Sequence, residues 1–127
     1  MCKALIVEDH AEFRQSLKLI LSSRFPSWSI AEADTGKAAL EQVQAFEPSL
    51  IFIDINLPDT NGFILTKNIK ASHAEATVII ITAYDLPEYR QAALEAGASH
   101  FIAKGSLNEE EILKMVDSVM PKCSPPL

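Results

Sequence analysis

Short apolar runs that each end on a polar or charged residue constrain this chain most. Ala4-Leu5-Ile6-Val7 ends on Glu8-Asp9, Leu50-Ile51-Phe52-Ile53 on Asp54, Val78-Ile79-Ile80-Ile81 on Thr82, and Phe101-Ile102-Ala103 on Lys104. Runs this short, without alternation, read as strands buried on both faces, the pattern of a parallel sheet covered by helices. Parallel strands place all their carboxyl ends on one edge, where open α/β sheets bind ligands. An acid pair, a single acid, a hydroxyl and an ammonium on that edge suit a divalent cation and a phosphoryl group.

Helical patterns separate the runs. Phe13, Leu17, Ile20, Leu21 and Phe25 mark one face of a first helix that Pro26 stops. Ser29 to Ala33 reads as a further strand, and Thr35 as the cap of a helix with Ala39, Val43 and Phe46 inward, ended by Pro48. Asn56 to Gly62 is turn-rich and leads into a helix with Phe63, Leu65 and Ile69 inward. Asp85 is the expected cap, and Pro87 the first-turn residue, of a helix carrying Tyr89, Ala93 and Leu94 and closing at Gly97. Ser106 to Glu109 reads as a capping box before Ile112, Met115, Val116 and Val119. Five alternations predict a single doubly wound (βα)5 domain over residues 1–120, with strand order 2-1-3-4-5. A Pro-rich tail or start of a linker occupies 121–127.

Bulk properties narrow the function. A chain of 127 residues suits one domain that buries roughly two-thirds of its unfolded surface. Net charge is −6 and the Lys and Arg residues are scattered, which argues against nucleic-acid binding by this domain. No run approaches the ~20 apolar residues of a membrane span. The chain start enters a strand rather than a signal peptide, and Cys2 and Cys123 read as free thiols. A cytoplasmic protein is the expectation.

Strand order 2-1-3-4-5 sets the first strand beside the third and so brings Glu8 and Asp9 close to Asp54. Carboxylates this close are tolerated only if a cation neutralises them or their pKa values rise. Oxygen-only ligation by few protein groups suits Mg²⁺, which keeps several waters and completes its shell with phosphate. Lys104 offers a compact positive charge to an anion, and Thr82 a hydroxyl donor. His10 is read as a solvated loop residue rather than a ligand, because a hard cation takes oxygen. Tyr84 is expected exposed near the mouth of the site.

On these residues the chain resembles the receiver domain of bacterial two-component response regulators. The resemblance covers residues 3 to 120 and rests on Glu8-Asp9, Asp54 in Asp-Ile-Asn-Leu-Pro, Gly62, Thr82-Ala83, Phe101 and Lys104. It implies a CheY-like, flavodoxin-like fold in which Asp54 accepts a phosphoryl group from a histidine kinase or phosphotransfer protein. It further implies Mg²⁺ held by Asp9, Asp54 and the Asn56 carbonyl, with Glu8 acting directly or through water. Thr82, Ala83 and Lys104 would bind the phosphoryl group, and Thr82 and Phe101 would form the switch. The protein would be a signalling acceptor rather than an enzyme, catalysing only its own phosphotransfer and dephosphorylation. A homodimer or a missing output domain are further implied partners.

Many receivers carry proline after the lysine; this chain has Gly105, which makes a trans peptide or a mixture the expectation. That departure and the Val-Glu-Asp-His opening resemble the subgroup with LuxR-type helix-turn-helix outputs. Two other functions use similar parts. A haloacid-dehalogenase-type phosphohydrolase needs a second carboxylate two residues after the nucleophile, where this chain has Asn56. A degenerate receiver scaffold loses the acid pair, acceptor or lysine, and all are present here.

Overall fold

Each apolar run is a strand in the computed structural model, which describes residues 2–106 and 108–120. The order is β1 (Lys3–Val7), α1 (Ala11–Arg24), β2 (Ser29–Ala33), α2 (Gly36–Phe46), β3 (Leu50–Asp54) and α3 (Gly62–Ser72). There follow β4 (Thr77–Thr82), α4 (Pro87–Ala96), β5 (His100–Ala103), a 3₁₀ turn (Lys104–Ser106) and α5 (Glu109–Val119). The strands form one parallel sheet of order β2-β1-β3-β4-β5, as the alternation predicts.

The pleat sends successive side chains to opposite faces, so each apolar run feeds two core layers. Leu5, Val7, Ile51, Ile53, Val78 and Ile80 pack with Ala39 and Val43 of α2, Leu65 and Ile69 of α3, and Ala93 of α4. Ala4, Ile6, Leu50, Phe52, Ile79 and Ile81 pack with Leu17 and Leu21 of α1 and Ile112 and Val116 of α5. Every residue of β3 is buried, which explains why its sequence lacks alternation. At roughly 1.5–3 kcal/mol per large buried aliphatic side chain, these two layers supply most of the drive that orders the edge above them.

Several local readings need correction. Asp85 does not cap α4: Leu86 is the N-cap residue without a side-chain bond, and the Asp85 carboxylate instead binds Arg90 at 2.6 and 2.9 Å. The helix-opening role given to Ser106 falls to Asn108, whose side chain accepts from the Glu111 N–H, because a 3₁₀ turn occupies 104–106 first. Leu94 is 64% exposed; Ala93 and Ala96 are the buried positions of α4. Cys2, expected as a free thiol, is disulfide-bonded. Cys123 and the Pro-rich tail lie outside the described residues. The Lys104–Gly105 peptide is trans. Thr35 and Gly97 occupy their expected cap positions, Gly97 at φ 103°, where a Cβ would be strained. Among the described residues no helix is long and apolar enough to cross a membrane.

Candidate functional site

Register places the chemistry on one edge. Val7 is level with Ile53, so Glu8 follows β1 beside Asp54; Asp54 is level with Ile81, and Thr82 with Ala103. One step further along each strand come Thr82 and Lys104. Ligand oxygens of Glu8, Asp9 and Asp54 lie within 4.8 Å of one another. Glu8 is fully buried, Asp54 is 4% exposed, and Asp9 opens to solvent. Gly62 permits the tight return after β3, since a Cβ there would lie 2.6 Å from the Asp54 carbonyl oxygen. Its N–H closes the loop on the Ile55 carbonyl at 2.9 Å.

Both remedies for crowded carboxylates operate here. Lys104 Nζ lies 2.9 Å from Glu8 Oε2 and 3.7 Å from Asp54 Oδ1, and 4.6 Å from the centre of the Phe13 ring. Burial, then the negative charge of Glu8, pushes the Asp54 carboxyl up to about 6, against the opposing pull of Lys104 and the Asn56 N–H. Glu8 Oε1 accepts the His10 N–H at 3.2 Å. Its Oε2 makes no hydrogen bond among the described residues, so the Lys104 contact there is a charge contact out of hydrogen-bonding alignment. A buried carboxylate oxygen without a bond, beside two more acids, matches the donor set of a hard divalent cation.

The remaining predicted residues are distributed around this centre. Thr82 is buried and its hydroxyl oxygen accepts the Tyr84 N–H at 3.1 Å, while Ala83 and Tyr84 are exposed, Tyr84 by 60%. Asn56 bridges to Asn61 across the β3–α3 loop. Phe101 is half-buried and packs against the α2–α4 side of the core rather than among the carboxylates. The Arg90 guanidinium lies over its ring at 5.0 Å, held there by Asp85. His10 caps α1, accepting the Phe13 N–H at its Nδ1.

Sequence reasoning missed Phe13 and Arg14. The spacing of Phe13 marks it as a core position of α1, yet its ring also faces the Lys104 ammonium. Arg14 donates to the Glu8 carbonyl at 2.7 Å and pairs with Glu32 at 3.0 Å, tying the acid pair to β2. A concavity of about 580 Å³ opens at the other end of the sheet beside Glu47 and His73, away from all these groups.

Fold and edge define a doubly wound α/β protein with an acidic, lysine-bearing site at its strand ends. Residues 4–117 match the family described as the response regulator receiver domain, and the chain belongs to that family. It is 33% identical to the transcriptional regulatory protein YdfI of Bacillus subtilis, over 86% of this chain and 51% of that one. It is 32% identical to the oxygen regulatory protein NreC of Staphylococcus epidermidis, over 87% and 51%. The chain thus spans about half the length of these relatives. Among solved structures, a CheY-like receiver domain protein of Methanospirillum hungatei superposes with a TM-score of 0.88 at 26% identity, covering 97% of this chain and 96% of that one.

Proposed function

We propose that this chain is the phosphoacceptor module of a two-component pathway, with residues 1–120 as the receiver unit and Asp54 as the acceptor. The single observation that carries the reading is the cluster of Glu8, Asp9 and Asp54 oxygens within 4.8 Å, with the Lys104 ammonium against it. Asp9, Asp54 and the Asn56 carbonyl would hold Mg²⁺, with Glu8 acting directly or through water, and the bound ion would supply charge neutralisation for the phosphoryl oxygens. An Asp54 carboxylate oxygen attacks the phosphorus of a phosphohistidine, the P–N bond breaks, and the imidazole departs with the bonding pair. Lys104 and the Ala83 N–H take up the phosphoryl oxygens. Phosphoryl transfer asks mainly for such positioning and charge stabilisation. Asn56, where a phosphohydrolase of the dehalogenase type needs an acid, favours an acceptor over a turnover enzyme.

The output is a shift between pre-existing states. The Thr82 hydroxyl oxygen accepts the Tyr84 N–H, and Phe101 lies under the Arg90 guanidinium. A phosphoryl dianion draws in Lys104 and Thr82, and Phe101 turns into the space that Thr82 leaves. The surface of α4, β5 and α5 changes with it, and each 1.4 kcal/mol of differential affinity alters the populations about tenfold. The donor is a histidine kinase or phosphotransfer protein in the cytoplasm. The reader of the changed surface is a second copy or an output domain; the matched part makes up about half of the regulators YdfI and NreC, which leaves room in proteins of this kind for a further domain.

Two experiments test the site and the switch. Mg²⁺ should raise the melting temperature, and raise it less in Asp9→Asn, because the ion binds only the folded chain. Trp28 should stay silent in that titration. It stacks on Phe25 at 4.2 Å just before β2, about 16 Å of strand away from the carboxylate edge. Strong quenching of Trp28 by Mg²⁺ contradicts this placement. Beryllofluoride with Mg²⁺ should move amide resonances around Asp54, Phe101 and α5 together. In Lys104→Ala those near Asp54 should still move while those near Phe101 and α5 respond weakly. Changes confined to the neighbourhood of Asp54 in the unsubstituted chain reject the switch.

A further inference from the structure

The first-turn N–H groups of α2 have no partner within the helix, and α2 carries no acidic residue of its own there. Thr35 Oγ1 takes the Ala38 N–H at 3.0 Å. The other two are taken from a distant loop: Asp59 Oδ1 accepts from Gly36 at 2.8 Å and Oδ2 from Lys37 at 3.0 Å. The fit is close, since a Cβ at buried Gly36 would overlap Thr60 Cγ2. These N–H bonds hold the Asp59 carboxyl below the usual carboxylate range.

Asp59 stands at the tip of the β3–α3 loop, whose two ends are already joined by the Asn56–Asn61 bridge and the Gly62 N–H bond to Ile55. Among the described residues, the hydrogen bonds from the Gly36 and Lys37 N–H groups to the Asp59 carboxylate tie the loop tip to a separate element. We propose that Asp59 is a positioning residue for the cation: clamping the loop tip on the α2 N-terminus holds the Asn56 backbone in place to ligate. The inference rests on the magnesium reading of the site and adds to it a residue that touches neither ion nor phosphoryl group. Partners of this kind, one step behind the ligands, typically change metal affinity by about 10-fold or more when removed.

The test is titration of the 127-residue chain and its Asp59→Ala and Asp59→Asn variants with MgCl₂ alone, followed calorimetrically at low salt and at high salt. Asp59→Ala should weaken binding about tenfold, and Asp59→Asn, which keeps one acceptor, by less. The ratio between variant and parent should persist at about 1 M salt, where screening acts within about 3 Å and a bare charge effect fades. Amide exchange at Gly36 to Ala38 should quicken in both variants whichever role Asp59 has, so it verifies that the clamp is broken. Quickened exchange with unchanged magnesium affinity makes Asp59 a helix cap only and overturns the proposal. A loss that vanishes at high salt does the same. A parent chain that binds no magnesium overturns the site reading and this inference together, whereas parental binding with unaltered variants overturns this inference alone.

Discussion

Lys104→Ala should destabilise the metal-free protein by about 2–3 kcal/mol, the largest single-residue loss expected at the strand-end edge. Its ammonium sits against a fully buried Glu8 and within 3.7 Å of Asp54, so removing it leaves carboxylates facing one another without a counter-charge. Breaking a fully buried pair costs about 3–5 kcal/mol; the smaller figure reflects the 21% exposure of the lysine side chain, which lets solvent screen part of the loss. Adding Glu8→Gln to Lys104→Ala should restore most of the stability, because the destabilising charge is then gone as well. Urea unfolding in the presence of a chelator measures both. A loss below about 0.5 kcal/mol, the scale of an ordinary surface substitution, would show that Lys104 is not the counter-ion of the cluster.

Asp54→Asn should act in the opposite direction and depend on pH. Burial and Glu8 raise the Asp54 carboxyl from an ordinary 3.8 to about 6, so the folded chain binds this proton more tightly than the unfolded chain does. Stability therefore falls as pH rises between about 4 and 6, and the penalty is complete above that window. The variant lacks the ionising group. In a chelator it should exceed the parent by on the order of 1–2 kcal/mol at pH 7.5 and match it near pH 4, the figure being reduced for solvent at the open edge. Magnesium should then narrow the difference, since the parent gains more from the ion than the variant. A variant advantage that grows toward pH 4 contradicts the burial of an ionised Asp54.

The strand ends were legible because each combines two local signals, a fully apolar run and an abrupt polar stop, and parallel topology turns those stops into neighbours. Asp54 could be placed beside Glu8 from strand order alone. What escaped were side chains whose partners lie at no regular spacing. Asp85 reads as a cap from its position before Pro87, but the arginine five residues on competes for the same carboxylate and wins bidentately. Ser106 and Asn108 are both good caps, and only the 3₁₀ turn after β5 selects the second. Asp59 meets the α2 N-terminus across 22 and 23 residues, a contact with no trace in local pattern. His10 shows the same limit at short range, since a histidine after an acid pair gives no sign that it will cap α1.

The most direct test of the central claim is intact-mass analysis after incubation with acetyl phosphate, with and without Mg²⁺. The account predicts one added phosphoryl group in the parent chain, dependent on Mg²⁺, and none in Asp54→Asn. A phosphoryl group retained in Asp54→Asn, or equal labelling in a chelator, would contradict it.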